Sequence, residues 1–156
     1  MIRRLTVFFA AVLLAAIPAA AHDYTLGTLQ IVHPWTRATP ASAMAGGGYV
    51  TLINKGGAAD RLVSVRSAAA DKVEIHEMKM DGNIMRMREL ADGLELPAGA
   101  TVTLMPGGYH IMFMGLKAPF QEDGRVPVTL VFENAGPIDL EFVVEAMGTT
   151  QPAHRH

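Results

Sequence analysis

Two short stretches carry two histidines and six methionines. His76, Met78, Met80, Met85 and Met87 lie in V-E-I-H-E-M-K-M-D-G-N-I-M-R-M, and His110, Met112 and Met114 lie in G-G-Y-H-I-M-F-M. The chain contains no cysteine. Imidazole and thioether are ligands for soft and borderline metals, and Cu(I) accepts thioether most readily. A blue-copper electron-transfer centre needs a thiolate, which this chain lacks. Zinc sites favour His with Cys or carboxylate, and a methionine-rich set is a poor match. Neutral His and Met donors suit a monovalent ion, and a thioether is readily displaced by a competing donor. That chemistry favours carrying and releasing Cu(I) over catalysis.

Strand geometry sorts these residues. Asp81-Gly82 is a two-residue hairpin signal of the type I′ class. With that turn Met80 pairs with Asn83, Met78 faces Met85, and His76 faces Met87. Opposed side chains on one sheet face have Cβ atoms about 4.5–5.5 Å apart, close enough for His76 and Met87 to share one ion. His110 and Met112 are two residues apart, so they project from the same face about 6.6 Å apart along the strand. Met114 shares that face, while Ile111 and Phe113 point the other way. Gly107 and Gly108 allow a sharp turn just before His110. Two His and two Met from two segments close a four-coordinate soft site. Methionine is also a flexible core filler, and Met78, Met80, Met85 and Met114 taken singly are equally well explained by packing.

The elements that must hold this site are strands. Apolar, β-branched and aromatic residues alternate in short runs broken by Gly, Pro, Asn and Asp. The expected strands are Leu29 to Val32, Gly48 to Asn54, Arg61 to Ser67, Val73 to Met80, Ile84 to Glu89, Thr101 to Met105, His110 to Met114, Pro127 to Glu133 and Ile138 to Ala146. Three alanines between Ser67 and Lys72 leave room for a short helical turn. Strands at this spacing predict a single all-β domain, an antiparallel sandwich or small barrel. Trp35 reads as a core anchor and His33 as a structural residue. The formal net charge is −2 and there is no basic footprint for nucleic acid. No Ser-His-Asp set and no phosphate loop are evident, so no enzyme activity is expected.

Arg3 and Arg4, the apolar run from Leu5 to Ile17 and Pro18-Ala19-Ala20-Ala21 have the order of a secretory signal peptide, with cleavage expected after Ala21. The expected division is a signal peptide over 1–21, a β domain over 22–148 and a flexible tail over 149–156. His22, once terminal, offers an imidazole and an α-amino group to Cu(II), although a free terminal histidine is the simpler reading. With no cysteine, a secreted domain of this kind must be stabilised by packing.

At these residues the chain resembles the periplasmic copper chaperone PCu(A)C family. That family's pattern is a His, about ten residues, a Met, a little over twenty residues, then H-x-M. It maps onto His76, Met87, His110 and Met112. Pro34-Trp35-Thr36-Arg37-Ala38, Gly48-Tyr49-Val50-Thr51-Leu52, Ala59-Asp60-Arg61-Leu62-Val63 and the P-G-G-Y-H-I-M run also match, so the likeness extends from about Leu26 to Met147. The resemblance implies a cupredoxin-like Greek-key β fold, exposed Cu(I) ligands and a periplasmic location. It also implies delivery of copper to the copper A centre of cytochrome c oxidase subunit II, in concert with a Sco-type thiol protein. Some relatives extend into a His- and Met-rich tail, whereas this chain ends in His154-Arg155-His156. Two alternatives use the same surface: a copper-sequestering buffer with identical ligands, and a metal-free module whose Met patch binds an apolar partner.

Overall fold

The computed structural model describes residues 23–151, which leaves the expected signal peptide, His22, His154 and His156 outside the described residues. Eleven strands follow one another among the described residues: β1 (Tyr24–Leu26), β2 (Leu29–Arg37), β3 (Ala45–Asn54), β4 (Asp60–Arg66), β5 (Ala70–Asp81), β6 (Ile84–Glu89), β7 (Leu94–Leu96), β8 (Thr101–Leu104), β9 (Tyr109–Leu116), β10 (Arg125–Phe132) and β11 (Gly136–Glu145). All nine expected strands are present. The alanine stretch before Lys72 forms a turn and then opens β5, so the helical turn expected there is absent. In this context Ala70 packs as a buried strand residue.

Hydrogen bonding runs in the order β6-β5-β9-β3-β2-β11-β10-β4-β7, with β1 on β2 and β8 on β3. Every pairing is antiparallel except β2 with β11, which is parallel. Strand β3 serves two neighbours, pairing β9 through Ala45–Gly48 and β8 through Val50–Ile53. The continuous sheet therefore curls over one core as a single-domain sandwich of the cupredoxin-like kind. Ile111 and Phe113 of β9, Leu130 and Phe132 of β10 and Phe142 of β11 are almost fully buried in it. Phe113 meets Phe120 and Phe142 edge-on, with ring centroids 5.4 and 6.2 Å apart. Gly48 makes this approach possible, since a Cβ there would lie 2.8 Å from the Phe113 ring.

In β2, Val32 pairs with Thr51 and Trp35 with Tyr49, so one extra residue is accommodated as a bulge. His33 takes φ +47 at that point, and its N–H donates to Asp23 Oδ1 at 3.1 Å. Trp35 is buried and stacks at a tilt on Tyr49, 4.6 Å between centroids. It thus anchors the sheet face opposite the Phe113 cluster. Beyond β11, Thr149 of the expected tail is held to β2, its carbonyl accepting from Arg37 Nε at 2.6 Å.

Candidate metal centre

Three adjacent strands, β6, β5 and β9, build the site. Strand alternation puts Ile75, Ile111 and Phe113 into the core and turns His76, His110 and Met112 to the other face. His76 lies directly opposite His110, and Glu74 directly opposite Met112. The two imidazole rings meet edge-on with centroids 5.6 Å apart. Although they face away from the core, both are nearly buried.

The turn before β9 explains how His110 is set. Met105-Pro106-Gly107-Gly108 has Pro at its second position, Gly107 at φ +84 at its third, and Gly108 N–H donating to Met105 O at 3.0 Å. These are the features of a type II turn. It presents Gly108 O, which lies 3.0 Å from His110 Nδ1. A carbonyl only accepts, so Nδ1 carries the proton and Nε2 keeps its lone pair for a ligand. Gly108 O also accepts from Met78 N–H at 3.1 Å, binding the turn to β5.

His76 is oriented by a carboxylate. Its Nε2 lies 2.6 Å from Glu74 Oε2, so Nε2 is the protonated nitrogen. Its Nδ1 is buried and has no hydrogen-bond partner. A buried acceptor left unpaired costs about 1–3 kcal/mol, and a metal would satisfy it. Lys72 pairs with the same carboxylate. The Lys72 ammonium first, and then the His76 ring, hold the Glu74 carboxyl below its ordinary value.

Carboxylates that orient a ligating His typically contribute 10–100-fold in metal affinity. Glu74→Gln is therefore expected to weaken metal binding by about tenfold or more, measured by chelator competition. The same substitution tests linkage. Because Glu74 has a depressed folded value, its stabilising effect is present above the ordinary carboxyl value of 4.5 and is lost as pH falls through the lower one. The stability gap between the wild type and Glu74→Gln should close along that descent, as followed by urea denaturation of the metal-free forms.

The hairpin register differs from the one expected. The turn's central residues are Gly82-Asn83, with Asp81 paired to Ile84. Gly82 takes φ +63 while Asn83 is not among the positive-φ residues, which is the type II′ pattern with Gly first. An Asp81-Gly82 type I′ turn would have needed positive φ at Asp81. Consequently His76 faces Glu89, not Met87, and Met78 faces Met87, not Met85. The shift is two residues, so every methionine keeps its predicted face. Met87 becomes a diagonal neighbour of His76, about 7–8 Å away between α-carbons and still within reach of a long side chain.

Met78, His110 and Met112 line one open cleft of about 320 Å3, together with Arg37, Tyr49 and the Pro106-Gly107 turn. Sequence reasoning did not single out Glu74, Arg37 or Tyr49 for this site. Glu74 had a readable signal, since it stands two residues before His76 on the same strand face. Tyr49 closes over Gly47, where a Cβ would come within 2.6 Å of its hydroxyl. Burial pushes its phenol above the ordinary value, against the opposing effect of the Arg37 cation. Among the described residues no three His, Cys, Asp or Glu side chains gather as a metal site would need.

The LpqE-like family model, described as "Putative lipoprotein LpqE-like", matches residues 29–144. The chain is 36% identical over 106 residues to "Putative lipoprotein Lxx21020" of Leifsonia xyli subsp. xyli (strain CTCB07), covering 68% of this chain and 63% of that protein's length. Its structure is similar to the copper-bound PCuAC domain from PmoF2, with TM-score 0.69, 30% identity, and coverage of 81% of this chain and 99% of that one. It is also similar to CuI-DR1885 from Deinococcus radiodurans, with TM-score 0.61, 27% identity, and coverage of 84% and 85%. The match over residues 29–144 spans every strand from β2 to the end of the core, and the chain belongs to the LpqE-like family.

Proposed function

We propose that this protein is a periplasmic Cu(I) metallochaperone that holds one ion through His76, Met87, His110 and Met112. One observation carries the reading: two nearly buried histidines face each other across β5 and β9, and His76 Nδ1 has no partner. Met112 follows His110 on the same face, and Met87 lies one rung from His76. The donor set is neutral and half thioether, which matches Cu(I) in charge and softness. The likeness to a copper-bound PCuAC domain and to CuI-DR1885 supports the choice of metal. Cu(I) is cargo in this reading, and no bond chemistry is required of the protein.

The proposed destination is the copper A centre of cytochrome c oxidase subunit II, reached with a Sco-type protein and after export with cleavage behind Ala21. The basic, apolar and small-residue order of residues 1–21 supports export, as does the lipoprotein description of the family. Copper transfer is the direct test. The Cu(I)-loaded protein, mixed with dithiol-reduced apo copper A domain and a Sco-type protein, should fill the centre with Cu(I), and one-electron oxidation by added ferricyanide should then develop the mixed-valence copper A absorption. In cells, deletion should impair oxidase assembly when copper is scarce. A phenotype confined to copper excess would instead identify a buffer.

A further inference from the structure

We propose a second soft-metal site on the β5–β6 hairpin, formed by the thioethers of Met78, Met80 and Met85, which takes up Cu(I) outside the four-donor centre. Its basis is the hairpin's own register. Met80 is directly opposed to Met85, and Met78 occupies the next rung of the same face. Directly opposed Cβ atoms lie about 4.5–5.5 Å apart, and a flexible thioether on each side can meet a common ion between them.

Packing does not explain these side chains. Strand β6 ends the sheet and every residue in it is exposed, with Met80 54% and Met85 50% accessible. A core-filling role needs burial, and these two residues are in water. Charge is segregated in a way that leaves them clear. Arg86 pairs with Asp81 at 2.9 Å and Arg88 pairs with Glu77, all on the opposite face of the hairpin. Between the His76–Glu89 rung and the turn, the methionine face carries thioethers only.

The two sites are contiguous. Met78 lines the cleft with His110 and Met112, and it is directly opposed to Met87. An ion taken at the tip can pass inward by exchanging one Cu–S bond for another, with no change of oxidation state and no proton released. The hairpin thus provides an exposed landing place leading to the nearly buried histidine pair.

The test uses Ag(I) as a redox-inert substitute for Cu(I), titrated into the full chain with 13C-methyl-labelled methionine and followed by NMR. The first equivalent should shift the Met87 and Met112 methyls, and the second should shift Met78, Met80 and Met85. Met80→Leu/Met85→Leu keeps volume and polarity nearly constant. It should bind the first equivalent unchanged and lose the second. Met80 and Met85 methyls that stay fixed through two equivalents, or a double variant that still binds both, would overturn the proposal. A His110→Ala/Met112→Ala variant separates the two sites, because its hairpin methyls should still respond to Ag(I). If the hairpin responds but Met87 and Met112 never move, the four-donor reading fails and the hairpin site stands.

Discussion

Replacing His110 and Met112 together with alanine is expected to remove tight Cu(I) binding while leaving the fold in place. Loss of an outer-shell partner alone costs about 10–100-fold in metal affinity, so loss of two direct donors should exceed that range. Both side chains point away from the Phe113 cluster, and His110 makes its ring contact with His76 rather than with the core. The double variant should therefore keep the far-ultraviolet spectrum and a cooperative unfolding transition. Met114→Leu, on the same strand face but further along β9, is the matched control and should bind normally. Competition with a colourimetric Cu(I) chelator reads both. Retention of binding within a few-fold in the double variant would remove His110 and Met112 from the site.

The second large effect concerns the residue between Met112 and Met114. Phe113→Ala should destabilise the protein by about 3–5 kcal/mol, the usual cost of truncating a fully buried phenylalanine. Phe113 is completely buried, touches Phe120 and Phe142 edge-on, and sits against the space that Gly48 leaves open. Backbone glycine cannot move in to fill the void, so the site relaxes poorly. Urea denaturation of the metal-free protein measures the change, and a loss below about 1 kcal/mol would contradict the packing described. The fraction that remains folded should still bind Cu(I), because alternation places Phe113 and the donors on opposite faces of one strand. Stability and metal binding are thus separable along three consecutive residues.

Alternation is also what made so much of the site legible in the sequence. His110, Met112 and Met114 against Ile111 and Phe113 is a period-2 pattern, and the structure divides them as that period requires. Turn chemistry was readable where one solution dominated, as at Pro106-Gly107. At Asp81-Gly82-Asn83 two hairpin turns competed. Both Asp-Gly and Gly-Asn are good two-residue loops, and local sequence does not choose between them. The choice moves the register by two, so faces were predicted correctly and partners were not. Strands β1 and β7 were missed because three residues, such as Leu94–Leu96, are too short to show a period. The bulge at His33 was hidden for a different reason. A residue before proline is disfavoured outside extended conformations, and only tertiary packing of Trp35 on Tyr49 reveals why the chain bends there.

The central claim is that two imidazole nitrogens and two thioether sulfurs hold Cu(I) on the β6-β5-β9 face. X-ray absorption at the copper edge of the protein loaded with one equivalent of Cu(I) tests it most directly. The expected spectrum is that of Cu(I) with two nitrogen and two sulfur neighbours, and the sulfur contribution should fall by half in both Met87→Ala and Met112→Ala. A first shell without sulfur, or a sulfur shell untouched by either substitution, would contradict it.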